Sequence, residues 1–306
     1  MNVTEKIQDI LGQLNSVIAG KAPQVQDSVT CLLAGGHLLI EDVPGVGKTT
    51  LASALARTFG LQFARVQFTA DLMPSDLTGV SVYDRGKEDF IFHAGPVFTQ
   101  VLLADEINRA SPKTQSALLE AMEERQVSVE GATRALPQPF FVIATQNPFE
   151  QLGTYALPES QLDRFLMRIS LGYPERAAER ELLCGQNRRD ILAGLPAVLG
   201  AGELAALQAA VGRVHASDAL LDYVQDIVAA TRSGRWFVQG LSPRAGIALL
   251  HAARAQALIE GRDYVAPDDV QAILPQCTAH RMVPVADAGR GAVEQVRAMI
   301  DEVPLP

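Results

Sequence analysis

The chain has 306 residues, of which 48% are hydrophobic, and this combination predicts a large core and two domains. Its formal net charge is −9, and Lys and Arg form no run longer than two residues, so an extended nucleic-acid-binding surface is not expected. The longest apolar stretches, at 29–40 and 97–104, are well below the roughly 18 residues that a membrane span needs.

The N-terminus, MNVTEKIQDI, has neither the basic start nor the apolar centre of a signal peptide. The three cysteines, Cys31, Cys184 and Cys277, are far apart and odd in number, which predicts a reduced, cytoplasmic protein without a disulfide framework. The five histidines share no ligand spacing with each other or with the cysteines, so we expect no metal site built from them.

Two helices joined by a turn at Gly20 are predicted at the start of the chain, because apolar residues recur there at helical spacing. Short apolar runs of β type follow, separated by helical stretches. Such continuous apolar runs are typical of strands buried on both faces of a parallel sheet. The predicted strands lie at 37–40, 64–68, 101–105, 140–146 and 167–171.

The segment EDVPGVGKTT, at 41–50, follows the first of these runs and precedes an Ala- and Leu-rich helical stretch. Strand, glycine-containing loop and helix in this order are typical of a phosphate-binding loop. The full pattern G-x-x-x-x-G-K-[ST] has glycine where this chain has Asp42. The alternative is a glycine turn that precedes a lysine by chance, and the strand and helix on the correct sides argue against it.

The residue types in this loop suit phosphate chemistry. Gly45 and Gly47 leave backbone N–H groups free to converge on phosphate oxygens, and the helix N-terminus adds partial positive charge. Lys48 can reach the β and γ phosphates of a nucleotide, and Thr49 can hold Mg²⁺. The predicted nucleotide-binding residues of the loop are Pro44, Gly45, Val46, Gly47, Lys48, Thr49 and Thr50.

Two hairpins are predicted between the core strands, at 80–96 and 127–137. The first has an apolar stem and a charged tip, so it is either a surface decoration or a device for gripping another chain. A helix opened by Ser111-Pro112 is expected to end before a β-like stretch that begins at Gln126. From residue 173 onward the chain is rich in Ala, Leu, Arg and Glu with helical periodicity. We therefore predict an α/β nucleotide-binding domain at 1–172, with the hairpin insert, and an all-helical lid at 173–306.

The run VLLADE ends in two carboxylates at the edge of the sheet where the phosphate loop is expected. Asp105 would hold Mg²⁺ together with Thr49, partly through water, and Glu106 would polarise the attacking water. A second acidic residue points to hydrolysis, because water must be activated. Asn147 ends the next core strand and could bind the γ-phosphate or the water; an asparagine turn before proline is the alternative.

Two arginines are candidates for contact with the phosphates. Arg164, in LPESQLDRF, lies too far along its own domain to reach its own γ-phosphate, so it is a candidate for action on the nucleotide of a neighbouring subunit. Arg244 follows Ser242 and Pro243 at the start of a lid helix and could point toward the phosphates of the same subunit. Either arginine could instead be an ordinary surface ion-pair partner.

Taken together, these segments resemble the MoxR branch of the AAA+ ATPases along nearly the entire chain. The matching segments occur in family-like order and spacing: EDVPGVGKT, LLADEINRA, TQSALLEAMEE, FFVIATQNP, LPESQLDRF, LSPRA and GRDYVAPDDV. The resemblance implies an AAA+ core with strand order 5-1-4-3-2, a helical lid, and the first hairpin as the insert that marks this clade. The second hairpin would be the one that precedes the sensor strand.

The resemblance also implies roles for individual residues. Lys48 and Thr49 match Walker A, and Asp105 and Glu106 match Walker B. The remaining matches are Asn147 as sensor 1, Arg164 as the arginine finger with Arg168 as a second candidate, Arg244 as sensor 2, and Gly20 near the adenine. Asp42 departs from the pattern only mildly, since this branch often lacks glycine there.

The resemblance implies a ring-forming, Mg²⁺-dependent ATPase, expected as a hexamer, that assembles or activates protein complexes such as metal-cofactor enzymes. A separate von Willebrand factor A domain protein is the expected adaptor. A nucleotide-gated scaffold with incidental turnover stays open as an alternative. A DNA-processing AAA+ protein is a more distant one, given the acidic balance and the missing basic tail, and a P-loop kinase is weaker still.

Overall fold

A computed structural model describes residues 3–148, 153–177, 179–180, 188–200, 202–285 and 291–306. Its centre is a five-stranded parallel sheet in the order β2-β5-β8-β1-β9. Counted along the chain, these are core strands 2-3-4-1-5, so the predicted order 5-1-4-3-2 is confirmed. The strands are β1 Leu38–Glu41, β2 Phe63–Gln67, β5 Val101–Asp105, β8 Phe141–Gln146 and β9 Met167–Ile169.

Both faces of the sheet are covered, because successive side chains of a strand point to opposite sides. In β1, Leu38 and Ile40 join a core shared with the N-terminal helices, whereas Leu39 joins the core on the opposite face. Every residue of β5 is buried, which explains why this strand is a continuous apolar run in the sequence.

Six helices accompany the sheet in the first part of the described chain. Ser111 caps α5, since its Oγ accepts a hydrogen bond from the N–H of Thr114 at 3.4 Å, as its position before proline suggests. The first two helices flank the predicted turn at Gly20. The helices are α1 Val3–Val17, α2 Ala22–Leu33, α3 Lys48–Thr58, α4 Pro74–Thr78, α5 Pro112–Glu124 and α6 Glu159–Leu162.

Both predicted hairpins are present as antiparallel pairs. The first consists of β3 Gly79–Asp84 and β4 Asp89–Ala94, and the second of β6 Gln126–Val129 and β7 Ala132–Ala135. The guanidinium carbon of Arg134 lies 3.9 Å from the centre of the Phe92 ring, so the two hairpins touch each other.

The C-terminal part is helical, as predicted, with the addition of a short antiparallel pair, β10 Phe237–Gln239 and β11 Val283–Pro284. The predicted helical segment ERAAERELLCGQ, at 175–186, lies largely outside the described residues, as does Cys184. The helices described are α7 Arg188–Ala193, α8 Glu203–Arg213, α9 Asp218–Thr231, α10 Pro243–Ile259, α11 Pro267–Thr278 and α12 Ala292–Ile300.

The lid helices share one hydrophobic core with α1, α2 and the adjoining face of the sheet. Packing is therefore continuous across residue 172, and the domain boundary placed there stays a prediction. Among the helices that the structure describes, none has both the length and the apolar character needed to cross a membrane.

Candidate functional site

The phosphate loop depends on glycine for its backbone conformation. Gly45 and Gly47 have φ of 85° and 99°, in the region that residues with a Cβ rarely adopt. A Cβ built at either position would meet no heavy atom within 4 Å, so backbone conformation and not space excludes other residues. Gly47 is the residue before α3, and the free N–H groups of that helix start therefore face the loop.

Lys48, the first residue of α3, is only 8% exposed. Its Nζ donates a hydrogen bond to the backbone carbonyl of Asp42 at 2.8 Å, across the mouth of the loop. Burial lowers the pKa of Lys48, while the carboxylates of Asp105, Asp42 and Glu106 oppose that shift. The ammonium group is thus held at the loop among three negative charges.

Asp42 has a structural task that glycine could not perform. Its Oδ2 accepts hydrogen bonds from the N–H of Gly172 at 2.6 Å and from the hydroxyl of Ser170 at 3.1 Å. Its Oδ1 accepts from the N–H of Val43 at 2.9 Å. The carboxylate therefore ties the start of the phosphate loop to the chain that leaves β9.

The turn that carries Gly20 lies on the same side of the molecule. Lys21 donates a hydrogen bond through Nζ to the carbonyl of Tyr173 at 2.7 Å, next to the Gly172 that binds Asp42. This contact brings the α1–α2 turn toward the loop, where the base of a bound nucleotide is expected. Gly20 itself is exposed, with φ of 70°.

Asp105 ends β5, at the edge of the sheet from which the phosphate loop also leaves. Its Oδ1 accepts a hydrogen bond from the hydroxyl of Thr145 at 2.6 Å, and its Oδ2 binds the guanidinium of Arg65 at 2.7 Å. The same Thr145 oxygen accepts the backbone N–H of Glu106 at 2.9 Å. One buried hydroxyl on β8 therefore fixes both members of the acidic pair.

Glu106 adopts a left-handed backbone conformation, with φ of 57°, which is unusual for a residue with a side chain. Its Oε2 accepts a hydrogen bond from the side-chain amide of Gln67 at 2.7 Å and lies 3.1 Å from Nε of Arg109. The carboxylate is held by groups from β2 and from the turn after β5, and it stays close to Asp105.

Asn147 directly follows β8, and β8 pairs with β1. At the end of that pairing Gln146 stands opposite Glu41, and its carbonyl accepts the N–H of Asp42 at 3.1 Å. The half-buried Asn147 therefore lies beside the first residues of the phosphate loop, where a polar group could meet the γ-phosphate.

Arg164 and Arg244 meet at a single carboxylate. Glu123, near the end of α5, binds Arg164 at 2.9 Å through Oε2 and Arg244 at 2.7 Å through Oε1. Arg164 also donates to the carbonyl of Leu119 at 2.6 Å. The hydrogen bond from Arg244 and the charge of Arg164 lower the pKa of Glu123, so this carboxylate is ionised.

This arginine pair lies at the opposite end of β1 from the phosphate loop. It lines a cavity with Gly35, Gly36 and His37, which precede β1, whereas Lys48 follows the strand. Four strand residues span about 13 Å. The sequence left two roles open for Arg244, contact with the phosphates of its own subunit or an ordinary surface ion pair. In this structure it pairs with Glu123 beside Arg164, because the lid helix that carries it packs against α1 and α2.

Arg168, the second candidate for the finger, has a different environment. It lies in β9 and pairs with Glu41 at 3.0 Å, at the end of β1 that carries the phosphate loop. Arg164 is therefore the better candidate for a contact with a neighbouring subunit.

Four residues that contact the acidic pair were not identified from the sequence alone: Arg65, Gln67, Arg109 and Thr145. Arg65 and Gln67 alternate along β2, and the register of β2 with β5 places Gln67 opposite Asp105. In the sequence, these two residues are distinguished only as polar side chains two positions apart in a strand whose other residues are apolar.

The residues fit a magnesium–nucleotide complex. Thr49 and Asp105 supply a hydroxyl and a carboxylate, which are ligands that Mg²⁺ accepts when phosphates complete its coordination. The described residues contain no group of three or more candidate ligands that would form an all-protein cage. When bound, Mg²⁺ would neutralise charge on the phosphates, while Lys48 and the helix start bind the phosphate oxygens.

Comparison with known proteins agrees with the fold. Residues 37–167 match the model of the ATPase family associated with various cellular activities (AAA), and residues 229–303 match the AAA lid domain. The chain is thus an AAA ATPase core followed by its lid, a class that hydrolyses ATP.

Relatives that match over most of their length identify the family within the AAA ATPases. The chain is 46% identical to YeaC of Bacillus subtilis, covering 100% of this chain and 98% of that protein. It is 44% identical to the chaperone MoxR1 of Mycobacterium tuberculosis, covering 90% and 75%. It is 34% identical to the protein MoxR of Paracoccus denitrificans, covering 98% and 96%. The chain belongs to the MoxR family of AAA ATPases.

A solved structure supports the arrangement of the two parts. The crystal structure of a protein described as an ATPase from Cytophaga hutchinsonii superposes with a TM-score of 0.90 at 35% identity, covering 99% of this chain and 96% of that one. The placement of the lid relative to the core is therefore shared with a relative of known structure.

Proposed function

We propose that this MoxR-family ATPase is a Mg²⁺-dependent ring, expected as a hexamer, in which each nucleotide lies between two subunits. The observation that carries the proposal is the separation of the catalytic groups along β1. Lys48, Asp105 and Glu106 lie at one end of the sheet, and Arg164 and Arg244 at the other. A chain arranged in this way needs a neighbour to bring Arg164 and Arg244 to its phosphates.

In this arrangement Lys48 and the loop bind the phosphates, and Glu106 orients and polarises the attacking water. Asn147 contacts the γ-phosphate or that water. Arg164 and Arg244 of the adjacent subunit leave Glu123 and stabilise the charge that develops in the transition state. Arginine fingers of this kind contribute roughly 10³- to 10⁵-fold in rate.

The proposed task is chaperone-like remodelling in the assembly or activation of protein complexes, with metal-cofactor enzymes among the proposed clients. It is supported by the relative named chaperone MoxR1. The exposed apolar residues of the first hairpin, including Phe90 at 67% exposure, suit contact with a protein client or a von Willebrand factor A domain adaptor. A cytoplasmic location fits the two buried free thiols, Cys31 and Cys277.

Substitutions at the loop and the acidic pair separate binding from hydrolysis. Glu106→Gln keeps the shape of the site but cannot polarise water, so it should bind ATP normally and hydrolyse it at least about 100-fold more slowly. Lys48→Ala should lose nucleotide binding, because the buried ammonium is removed from the phosphates. Equilibrium binding of a fluorescent ATP analogue and steady-state phosphate release measure the two effects. Normal turnover by the Glu106→Gln variant would refute the assignment.

Mixing variants tests the shared site. Arg164→Ala protein should be slow alone and should regain activity when mixed with Glu106→Gln protein, because the second variant supplies an intact arginine to the first. An absence of recovery at any mixing ratio, in samples shown to form mixed particles, would count against action on the neighbouring nucleotide.

A further inference from the structure

Arg164 lies in a short connection that cannot hold itself in place. It follows α6, a helix of only four residues, and precedes β9, which begins at Met167. An isolated helical turn of this length has no stability of its own. The backbone around Arg164 must therefore be fixed by contacts with other elements.

Those contacts come from the lid. Arg281, which follows α11 in a 3₁₀ turn, is 9% exposed. It donates hydrogen bonds to the carboxylate of Asp163 at 2.9 Å and to the carbonyl of Phe165 at 2.8 Å. One planar guanidinium thus holds the residue before Arg164 and the residue after it.

A second lid residue supports the same carbonyl. His280 is buried, and its Nε2 lies 3.0 Å from the carbonyl oxygen of Phe165. Burial and the charge of Arg281 lower the pKa of His280 to about 3, so the ring is neutral, and it donates to this carbonyl in the tautomer that carries the proton on Nε2. The side chain of Arg164, by contrast, is held by α5 of the core through Leu119 and Glu123.

We propose that Arg281 is a positioning residue for the arginine finger: the lid sets the backbone from which Arg164 reaches the nucleotide of the neighbouring subunit. This inference rests on the proposed function, since it assumes that Arg164 acts on a neighbour. A movement of the lid would then displace Arg164 of the same subunit and change the rate of ATP hydrolysis in the neighbouring subunit.

The alternative is that Arg281 merely stabilises the fold as a buried ion pair. Truncating one partner of such a pair leaves buried polar groups without partners and destabilises the chain in any case. The test therefore needs a readout that loss of stability does not produce. Mixing experiments supply one, because a misplaced finger affects only the neighbour's nucleotide.

The first variant is Arg281→Gln, and Asp163→Asn is a milder companion that keeps an oxygen able to accept from Arg281. A matched control is Arg262→Gln, which breaks the pair between Arg262 and the 2% exposed Asp269 at the other end of α11. Melting temperature shows whether the control loses as much stability as Arg281→Gln. Arg281→Lys keeps the positive charge but removes the planar guanidinium, so it tests whether charge alone is enough to position Arg164.

Arg281→Gln should keep the affinity for an ATP analogue and lose turnover on the order of 10²-fold, which a misplacement of about 1 Å can produce. Asp163→Asn should lose less, and Arg262→Gln should turn over normally. Mixed with Glu106→Gln protein, Arg281→Gln should regain activity, because the partner brings a correctly placed finger. Mixed with Arg164→Ala protein, it should not.

Recovery of Arg164→Ala but not of Arg281→Gln in the presence of Glu106→Gln protein would overturn this inference and leave the finger assignment intact. If Arg164→Ala itself is not rescued, the shared-site proposal is wrong and the inference falls with it. The third outcome concerns the control. If Arg262→Gln and Arg281→Gln have the same melting temperature and lose turnover equally, Arg281 acts only through the stability of the fold, and its positioning role is overturned.

Discussion

Asp42 is a carboxylate at a position where the phosphate-loop pattern has glycine, and its hydrogen bonds explain the exchange. Three donors, the N–H groups of Val43 and Gly172 and the hydroxyl of Ser170, converge on its two oxygens. The acceptor for Lys48 is the backbone carbonyl of the same residue, so it would remain in a variant without the side chain.

Restoring the glycine should therefore destabilise the protein. Asp42→Gly should lower the free energy of unfolding by about 2 to 3 kcal/mol, because three partly buried hydrogen bonds to a charged acceptor are lost. Urea unfolding without nucleotide measures the change. Asp42→Asn should lose less, since one amide oxygen remains. Exposed Asp71→Gly is the control and should change stability by at most about 0.5 kcal/mol. An Asp42→Gly variant whose free energy of unfolding equals that of the parent protein would contradict this explanation.

The residues that bind Asp105 and Glu106 could not be predicted from the sequence, although the acidic pair itself could. Asp105 and Glu106 could be singled out because they end a continuous apolar run. Thr145 and Gln67 could not, since their importance comes from strand register: the order of β2, β5 and β8 brings them to the carboxylates. Local patterns do not contain that register.

At the scale of elements, the strands and hairpins could be predicted because each has a local cause. The buried strands are short apolar runs, the hairpins have turn residues between alternating side chains, and Ser111 and Ser242 cap the helices that follow them. The position of the lid has no such local cause. It depends on which apolar faces of α8, α10 and α11 meet α1 and α2, and the sequence alone did not show that Arg244 lies beside Glu123.

The contact between α2 and α11 predicts a pH dependence of stability. Burial raises the pKa of Asp27, on α2, from 3.8 to about 6, although a hydrogen bond from Gln276 at 3.2 Å opposes the shift. The folded state therefore binds a proton more tightly than the unfolded chain does. Between about pH 4 and pH 6, this group makes the protein less stable as pH rises, and above pH 6 the full penalty is present.

Asp27→Asn should remove this penalty. We expect the variant to be more stable than the parent protein by up to about 3 kcal/mol at pH 8, with the difference disappearing as pH falls toward 4. Unfolding by urea across this pH range measures it. The variant also serves as an internal reference for buried His37, whose pKa is lowered to about 4 and which destabilises the fold in acid in both proteins. A gain that is constant with pH would show that the carboxyl does not titrate as described.

At the scale of the whole molecule, the proposed ring would give each chain one half of each of two nucleotide sites. The phosphate loop and the acidic pair form one half, and the Arg164–Arg244 pair at the other end of β1 forms the second. Arg164 and Arg244 both pair with Glu123, and the proposed assembly requires these ion pairs to exchange for phosphate contacts. The proposed function therefore couples chemistry to assembly.

This coupling predicts that ATP hydrolysis per subunit rises with protein concentration, in step with particle mass measured by light scattering on the same samples. A monomer contributes Lys48, Asp105 and Glu106 but neither Arg164 nor Arg244 to its own γ-phosphate, so its rate should be roughly 10³-fold or more below that of the assembled form. Glu106→Gln protein should assemble over the same concentration range and stay inactive, and Arg164→Ala should be slow even when fully assembled. If the activity per subunit is constant and the particle stays monomeric at all concentrations, the arginine pair does not act on a neighbour, and the separation along β1 requires another explanation.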